Sequence, residues 1–257
     1  PLIVIVYHKI PLPYTNGTNQ RLKALVEFLR HFYRVGLVVP VWRQDLNELS
    51  NTYDFVWFGA HHDNLADKFY WHVSGWLKSS WLKIEFKLSR RKLGNPLLRF
   101  HVHAAWKLKQ ICHEHSPNLI IVEKIINTVP VVQIAKKFNV PTVLDVHDLY
   151  AVAESGITAS NKSRFPGIVE AHELDLLRQY DALIAIQHAD ANRLRKLLPE
   201  KPTILAMHPV KVRADSISSK RNRRLLFVGS SSQHNVHAIS YFVENVLARV
   251  AEVYEDI

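Results

Sequence analysis

The stretch Pro117–Tyr150, PNLIIVEKIINTVPVVQIAKKFNVPTVLDVHDLY, decides the fold of this chain. It opens with the apolar run 118–122, which is too short for a helix and is typical of a buried strand. Apolar residues then recur at helical spacing from 131 to 138, and Asn139 is a suitable residue to end that helix. Residues 142–146 form a second apolar run. Strand, helix and strand make a βαβ unit, whose strands are parallel and whose crossover is right-handed.

His147 and Asp148 directly follow the second of these strands. Ligands of open α/β sheets bind in the crevice at the carboxyl ends of the strands, so the functional site is expected here. A histidine at this position can donate a hydrogen bond to a ligand or move a proton near neutral pH. The alternative is that His147 only satisfies carbonyl groups at the strand end. Asp148 can cap the following turn, and Asp145 is expected to be structural.

Composition identifies a globular chain with an ample core. It has 257 residues, of which 47% are hydrophobic and 22% charged, which fits one large domain or two modest ones and argues against disorder. The single cysteine, Cys112, excludes an internal disulfide and suits a reducing compartment. No apolar run approaches the length of a membrane-spanning helix.

The net charge of +10 is concentrated in one segment. Residues 68–100 carry eight Lys and Arg against one acidic residue, Glu85, together with several aromatic side chains. This insertion, about 60–98, could lie along an anionic membrane or dock an acceptor. The alternative is a helical excursion whose tryptophans pack on the domain and whose lysines are solvated. The docking residues would be Trp71, Trp76, Trp81, Lys78 and Lys83.

Strands and helices alternate along the rest of the chain, which predicts an α/β fold with a parallel sheet covered on both faces. The first domain is expected to span 1–209. Residues 210–224 are rich in Ser, Lys and Arg without periodicity and are predicted to be a linker. Residues 225–228 are then predicted to be a strand, with a helix after it, so that 225–257 would begin a second domain and stop within it.

Five stretches carry a family resemblance. They are the N-terminal strand, the Gly17 loop with Arg21 on the first helix, PTVLDVHDLY at 141–150, the helix-to-strand passage 173–187, and LLFVGSSSQHNVHAISYFVENVLARV at 225–250. In this order and spacing they resemble a GT-B glycosyltransferase of family 4. Such enzymes have two Rossmann-like, doubly wound domains, the N-terminal one binding chiefly the acceptor and the C-terminal one the nucleotide-sugar donor. The resemblance also implies retention of anomeric configuration, no bound metal and no cofactor.

The resemblance assigns roles to particular residues. His147 would be the catalytic residue, lining the cleft near the transferred sugar. Donor-binding residues would be Gly17, which would approach the phosphates, and the loop Gly229, Ser230 and Ser231. Beyond the roles that the resemblance implies, the candidate acceptor-binding residues are Asn16, Thr18, Arg21, Asp148, Arg164 and Glu170.

The resulting expectation is a glycosyltransferase that moves a sugar from a UDP- or GDP-sugar to a glycan or lipid-linked acceptor. We expect it in the cytoplasm, at the inner face of the cell membrane where the insertion docks. Two departures from the family pattern concern the donor side: Ser230 and Ser231 stand where many members have Arg and Lys, and the usual glutamate pair would fall beyond Ile257. We therefore expect no turnover from this chain alone.

The alternatives to this function are a non-catalytic module, nucleic-acid binding, and a GT-B epimerase or phosphorylase, the last of which does not explain the resemblance at 225–250. A non-catalytic carbohydrate-binding or scaffold module, derived from half of a GT-B protein, is the main alternative. Nucleic-acid binding would suit the pI of about 9.7, but no RRM, KH or zinc signature accompanies it, so none is expected. A metal site at 61–63, His-His-Asp, is not predicted either, because adjacent side chains rarely point the same way.

Overall fold

The computed structural model describes residues 1–8, 10–12, 14, 16–39, 46–58, 102–125, 128–149, 170–209, 225–229 and 233–253. The chain divides into two compact units, Pro1–Pro209 and Val210–Ile257. The finer division into a first domain, a linker and the start of a second domain stays a prediction. Within the described residues, no helix is both long enough and apolar enough to cross a membrane.

The first unit is built on a seven-stranded sheet in which every neighbouring pair is parallel. Its strand order, β3-β2-β1-β4-β5-β6-β7, is the Rossmann order, so the predicted doubly wound α/β fold is confirmed. The strands are β1 (Leu2–Val6), β2 (Arg34–Val39), β3 (Phe55–Phe58), β4 (Leu119–Glu123), β5 (Thr142–Val146), β6 (Ala182–Ala185) and β7 (Thr203–Leu205).

Helices connect these strands along the chain. In the first unit they are α1 (Gly17–Leu29), α2 (Leu46–Thr52), α3 (Val102–His115), α4 (Thr128–Lys137), α5 (Glu170–Leu177) and α6 (His188–Leu197). Helix α2 has no counterpart predicted from the sequence. Helix α4 contains the helical spacing predicted from 131 and begins three residues before it.

Both faces of the sheet are covered, as the β1 side chains show. Ile3 and Ile5 pack with Leu22 and Val26 of α1, while Val4 and its neighbours on the same face pack with α3, α4, α5 and α6. Successive side chains of a strand point to opposite faces, so a strand buried on both sides must be apolar throughout. All five residues of β1 are buried, which explains its unbroken run LIVIV.

The end of α4 shows how the sequence sets the entry into β5. Asn139 has φ 54°, in the left-handed region that asparagine tolerates well. Its N–H donates to Lys136 O at 3.2 Å, and the Val140 N–H donates to Ala135 O at 2.9 Å. These two bonds are the Schellman arrangement, in which the last helical carbonyls find donors. The predicted helix end at Asn139 is therefore confirmed, and β5 begins three residues later.

The second unit differs from its predicted pattern at one point. Residues 225–229 form no strand, whereas a strand was predicted at 225–228. A strand exists only by pairing with another strand, and the other described part of this unit, 233–253, is helical throughout. That part comprises α7 (Gln233–Phe242), a π-helical turn (Val243–Leu247) and α8 (Ala248–Val253), so the predicted helix is confirmed.

Candidate functional site at the carboxyl edge of the sheet

The candidate site lies at the carboxyl ends of β1, β4 and β5. β1 and β4 are hydrogen-bonded neighbours in the middle of the sheet, where the strand order reverses direction along the chain. Crevices for ligands form at such switch points. The buried polar and charged side chains described at this edge include Arg21, Glu123, Asp145 and His147. Because burying charge is costly, these groups are expected to be paired with one another.

Arg21 of α1 is paired with Asp145 of β5. Its Nε and Nη2 donate to the two carboxylate oxygens of Asp145, each at 2.9 Å, and its Nη1 donates to Ala206 O at 2.6 Å. The side chains are 3% and 0% exposed. A two-bond guanidinium–carboxylate contact fixes orientation as well as distance. Arg21 thereby ties the first helix to the fifth strand and to the segment after β7.

His147 is held by Glu123, the last residue of β4. Its Nε2 lies 2.7 Å from Glu123 Oε2 and 3.6 Å from Asp145 Oδ2. The other oxygen, Glu123 Oε1, is buried without a hydrogen-bond partner. The two residues come from neighbouring strands, since Glu123 is in register with Asp145 and His147 follows two residues later. The Glu123 carboxylate, at the end of the neighbouring strand β4, therefore fixes the orientation of the His147 ring.

Burial dominates the electrostatics of this cluster. It raises the pKa of Glu123 to about 7, against the lowering effect of Arg21. It likewise raises the pKa of Asp145 to about 6, helped by the Glu123 charge and opposed by Arg21. Burial also lowers the pKa of His147 to about 4, so its imidazole is neutral at pH 7. One guanidinium faces two carboxyl groups, and a shared site of this kind favours keeping a proton on one of them.

The backbone is also unusual beside Glu123. Lys124 has φ 67°, which a non-glycine residue adopts at some energetic cost. Its N–H donates to Asp145 O at 3.2 Å, so the strained residue continues the pairing of β4 with β5. Strained backbone of this kind clusters at functional sites. Here it follows directly the residue that holds His147.

The N-terminus of α1 opens onto the same edge. Asn16 caps the helix, because its side chain accepts the Asn19 N–H at 2.9 Å. Helix geometry leaves the Gly17 and Thr18 N–H groups without acceptors inside the helix, and these groups and the helix dipole favour an anion. A side chain at Gly17 would meet His208 Cε1 at an ordinary 3.7 Å, so the exposed His208 lies beside this helix end. Partial burial, with the nearby Arg21 and His147, lowers the His208 pKa.

Three side chains of the cluster are close enough together to be compared with a metal site. One donor atom each from Glu123, Asp145 and His147 lie within 4.8 Å of one another, a spacing at which a cation could be held. However, Arg21 already donates to both Asp145 oxygens, and His147 Nε2 already bonds Glu123 Oε2. A cation would have to displace these bonds beside a buried guanidinium. The residues present fit an ion-pair network better than a metal site.

The structure brings several predicted site residues to this edge. His147 is buried within the cluster, Gly17 is exposed at the start of α1, Thr18 is half-buried and Asp148 is exposed. The Arg21 guanidinium points inward to Asp145 and Ala206 rather than outward to solvent. Glu170 begins α5. The roles given to all these residues, and to Asn16, stay predictions.

The remaining predicted residues lie elsewhere or outside the described ranges. Gly229 is exposed in the second unit, where an added Cβ would come within 3.0 Å of Phe227 and Asn235 side-chain atoms. The following predicted site residues lie outside the described residues: Ser230, Ser231, Arg164, Trp71, Trp76, Trp81, Lys78 and Lys83. So does the His-His-Asp run at 61–63.

Two residues of the site were missed by the sequence analysis, Glu123 and His208. Glu123 closes the apolar run LIIVE, and an acidic residue at the carboxyl end of a buried strand is a signal that could have been used. His208 follows the last strand of the unit, where the same argument about strand ends applies. Asp145 was expected to be structural, and its full burial against Arg21 agrees with that expectation.

The chain belongs to the glycosyl transferase 4-like domain family, whose model matches residues 16–209. That range covers most of the chain and contains all four residues of the buried cluster. The family expected from the sequence motifs is thus confirmed. A search of curated protein sequences gives no significant match.

Similar solved structures include the lipopolysaccharide outer core galactosyltransferase WaaB in its apo form, at 9% identity and a TM-score of 0.48 over 83% of this chain and 47% of that one. S. aureus MnaA in complex with UDP has 13% identity and a TM-score of 0.42, over 79% of this chain and 43% of that one. A UDP-glucosyltransferase from Polygonum tinctorium has 10% identity and a TM-score of 0.45, over 83% of this chain and 53% of that one. The chain spans about half the length of these structures.

The raised pKa of Glu123 predicts how stability depends on pH. A carboxyl whose pKa rises on folding, here from 4.5 to about 7, favours the folded state at low pH, and this contribution is lost as the pH rises through about 7. Asp145 acts in the same direction but only up to about pH 6, and His147 acts in the opposite direction only up to about pH 6.5. Between pH 6 and 8, Glu123 is therefore the member of this cluster that changes the free energy of unfolding most.

We expect the chain to lose about 1 kcal/mol of unfolding free energy between pH 6 and 8 relative to Glu123→Gln, which keeps the shape of the side chain without its titration. Urea unfolding of both proteins at the two pH values measures the difference. Glu27→Gln, at an exposed position of α1, is the matched control and should follow the unsubstituted chain. An equal pH dependence in Glu123→Gln would contradict the assignment.

Proposed function

We propose that this chain is the acceptor-side part of a glycosyltransferase that uses a nucleotide-sugar donor. The observation that carries the proposal is that the family match, 16–209, encloses the carboxyl-edge site with Gly17 and His147. Function in such a fold depends on the site rather than on the sheet, and the site offers groups suited to sugar transfer. The donor would be a UDP- or GDP-sugar, and the acceptor a glycan or a lipid-linked sugar.

The chemistry of transfer explains what these groups would do. Departure of a nucleoside diphosphate develops negative charge on the phosphate, which oriented N–H groups and a helix dipole stabilise. The Gly17 and Thr18 N–H groups at the start of α1 could supply this. His147, neutral and fixed by Glu123, could exchange a hydrogen bond or a proton with a sugar hydroxyl. Retention of configuration and independence of metal are carried over from the family resemblance and belong to the proposal.

The basic, aromatic insertion adds a proposal about the acceptor and location. Tryptophans placed among lysines suit the headgroup region of an anionic membrane, where lipid-linked acceptors are found. The enzyme would then work in the cytoplasm against the inner face of the cell membrane. No nucleic acid partner and no resident cofactor are proposed.

Replacing Trp76 and Trp81 together by Ala should weaken binding to vesicles containing anionic lipid, because each indole would contribute apolar burial at the interface. Cosedimentation with phosphatidylglycerol vesicles measures this, and Trp106→Ala, at a half-exposed position of α3, is the matched control. Equal binding by the double variant and the unsubstituted chain would reject the membrane proposal.

The catalytic proposal predicts that His147→Asn lowers sugar transfer by about 10²-fold or more, since a positioned acid–base group contributes on that scale. Release of UDP or GDP from a panel of nucleotide sugars, with and without EDTA, is measured for the full product of the gene and its variants. His113→Asn, an exposed histidine at the far end of α3, should retain activity.

Two outcomes would contradict the proposal. Equal activity of His147→Asn and the unsubstituted enzyme would remove His147 from the mechanism. A folded full gene product that releases no nucleotide from any donor in the panel would favour the non-catalytic, carbohydrate-binding module.

A further inference from the structure

We propose that Glu123 is a positioning residue that sets the tautomer of His147. The two side chains are within hydrogen-bond distance, with 2.7 Å between His147 Nε2 and Glu123 Oε2. Both are buried, at 5% and 0% exposure, so solvent is largely kept from this bond. A nitrogen and an oxygen at that distance must share one proton between them.

Two neutral-ring arrangements satisfy this bond. With Glu123 ionised, the proton lies on His147 Nε2, which donates to the carboxylate, and Nδ1 carries a lone pair. With Glu123 protonated, the carboxylic acid donates to Nε2, and the ring proton lies on Nδ1 instead. The charge state of Glu123 therefore decides whether Nδ1, the remaining polar atom of the ring, is an acceptor or a donor.

The surroundings place the change between these arrangements near neutral pH. Burial raises the pKa of Glu123 to about 7 while it lowers that of His147, so the ring stays neutral as Glu123 titrates. The charged and titratable groups that act on the pair come from every neighbouring element: Arg21 of α1, Lys124 after β4, Asp145 of β5, Asp148 after β5, His208 after β7, Tyr7 after β1, and Tyr53 after α2. Of these, Arg21 and Asp145 neutralise one another through their two-bond contact.

The consequence for transfer, which rests on the proposed function, concerns what His147 offers a sugar. Above about pH 7 the ring would present a basic Nδ1, able to accept a hydrogen bond from a sugar hydroxyl or to take its proton. Below that pH the same atom would carry a proton and could only donate. Glu123 would thus act through His147 without touching the substrate.

The test is nitrogen NMR of the 257-residue chain labelled with ¹⁵N-histidine, without donor or acceptor. His147→Asn identifies the His147 resonances by their loss. Between pH 6 and 8 we expect Nε2 to change from the unprotonated to the protonated chemical-shift range and Nδ1 to change the opposite way. A ring that keeps one tautomer throughout this range, or becomes doubly protonated within it, overturns the proposal.

Glu123→Gln supplies the second arm, because an amide can hold the ring but does not titrate. We expect its His147 resonances to show no tautomer change between pH 6 and 8, whereas the exposed Glu27→Gln should behave like the unsubstituted chain. A change that persists in Glu123→Gln overturns the proposal. If that variant does not fold, the titration of the unsubstituted chain still decides, since it needs no substitution at 123.

Addition of Zn²⁺ separates this inference from a metal centre. We expect one equivalent of Zn²⁺ at pH 7 to leave the His147 resonances in place. Stoichiometric shifts of these resonances, lost in Glu123→Gln, would mean that the cluster is a metal site and would overturn the proposal.

None of these measurements involves sugar transfer, so the tautomer inference and the proposed function can fail separately. An inactive protein that shows the tautomer change contradicts only the proposed function. An active protein without the tautomer change contradicts only this inference.

Discussion

The buried contact between Arg21 and Asp145 is the constraint on which the carboxyl edge of the sheet depends. It joins residues 124 positions apart, and through Ala206 O it also joins the segment after β7. Removing both charges from water costs several kcal/mol per ion, which only well-made contacts can offset. The three bonds of 2.6–2.9 Å fix the start of α1 against β5, and the helix N-terminus with Gly17 is placed beside the site as a result.

The same contact leaves a charge imbalance that gives the site its chemistry. Arg21 neutralises the carboxylate of Asp145. The second carboxyl group, that of Glu123, is also buried, and burial raises its pKa so that it stays protonated up to about pH 7. His147 responds in the other direction and stays neutral. A neutral imidazole against a carboxyl that titrates near pH 7 is a pair whose protons can move under physiological conditions. That property follows from burial and from the number of charges at the site.

The local pattern of the chain was sufficient to predict the sheet and the strand end at which His147 lies, but not the contacts among the buried residues of the site. Strand β5 has the bounds that its apolar run predicted, and the end of α4 at Asn139 follows from its left-handed conformation. The role of Glu123 was not predicted because it depends on contact with His147, which follows the neighbouring strand. A local sequence pattern carries no information about such a contact. The contacts of Arg21 with Asp145 and Ala206 could not be predicted for the same reason. Residues 225–228 have the composition of a strand without a described partner strand to pair with.

A double-mutant cycle measures whether Arg21 and Asp145 are energetically coupled, as their buried two-bond contact implies. Urea unfolding would be measured for Arg21→Met, Asp145→Leu and the combined variant at pH 7. Breaking a buried pair from one side leaves an uncompensated charge and costs about 3–5 kcal/mol, whereas replacing both partners by apolar residues is often far less costly. We expect the combined variant to be more stable than Arg21→Met alone, because it leaves no uncompensated charge from this pair. Costs of the two single changes that simply add in the combined variant would contradict it.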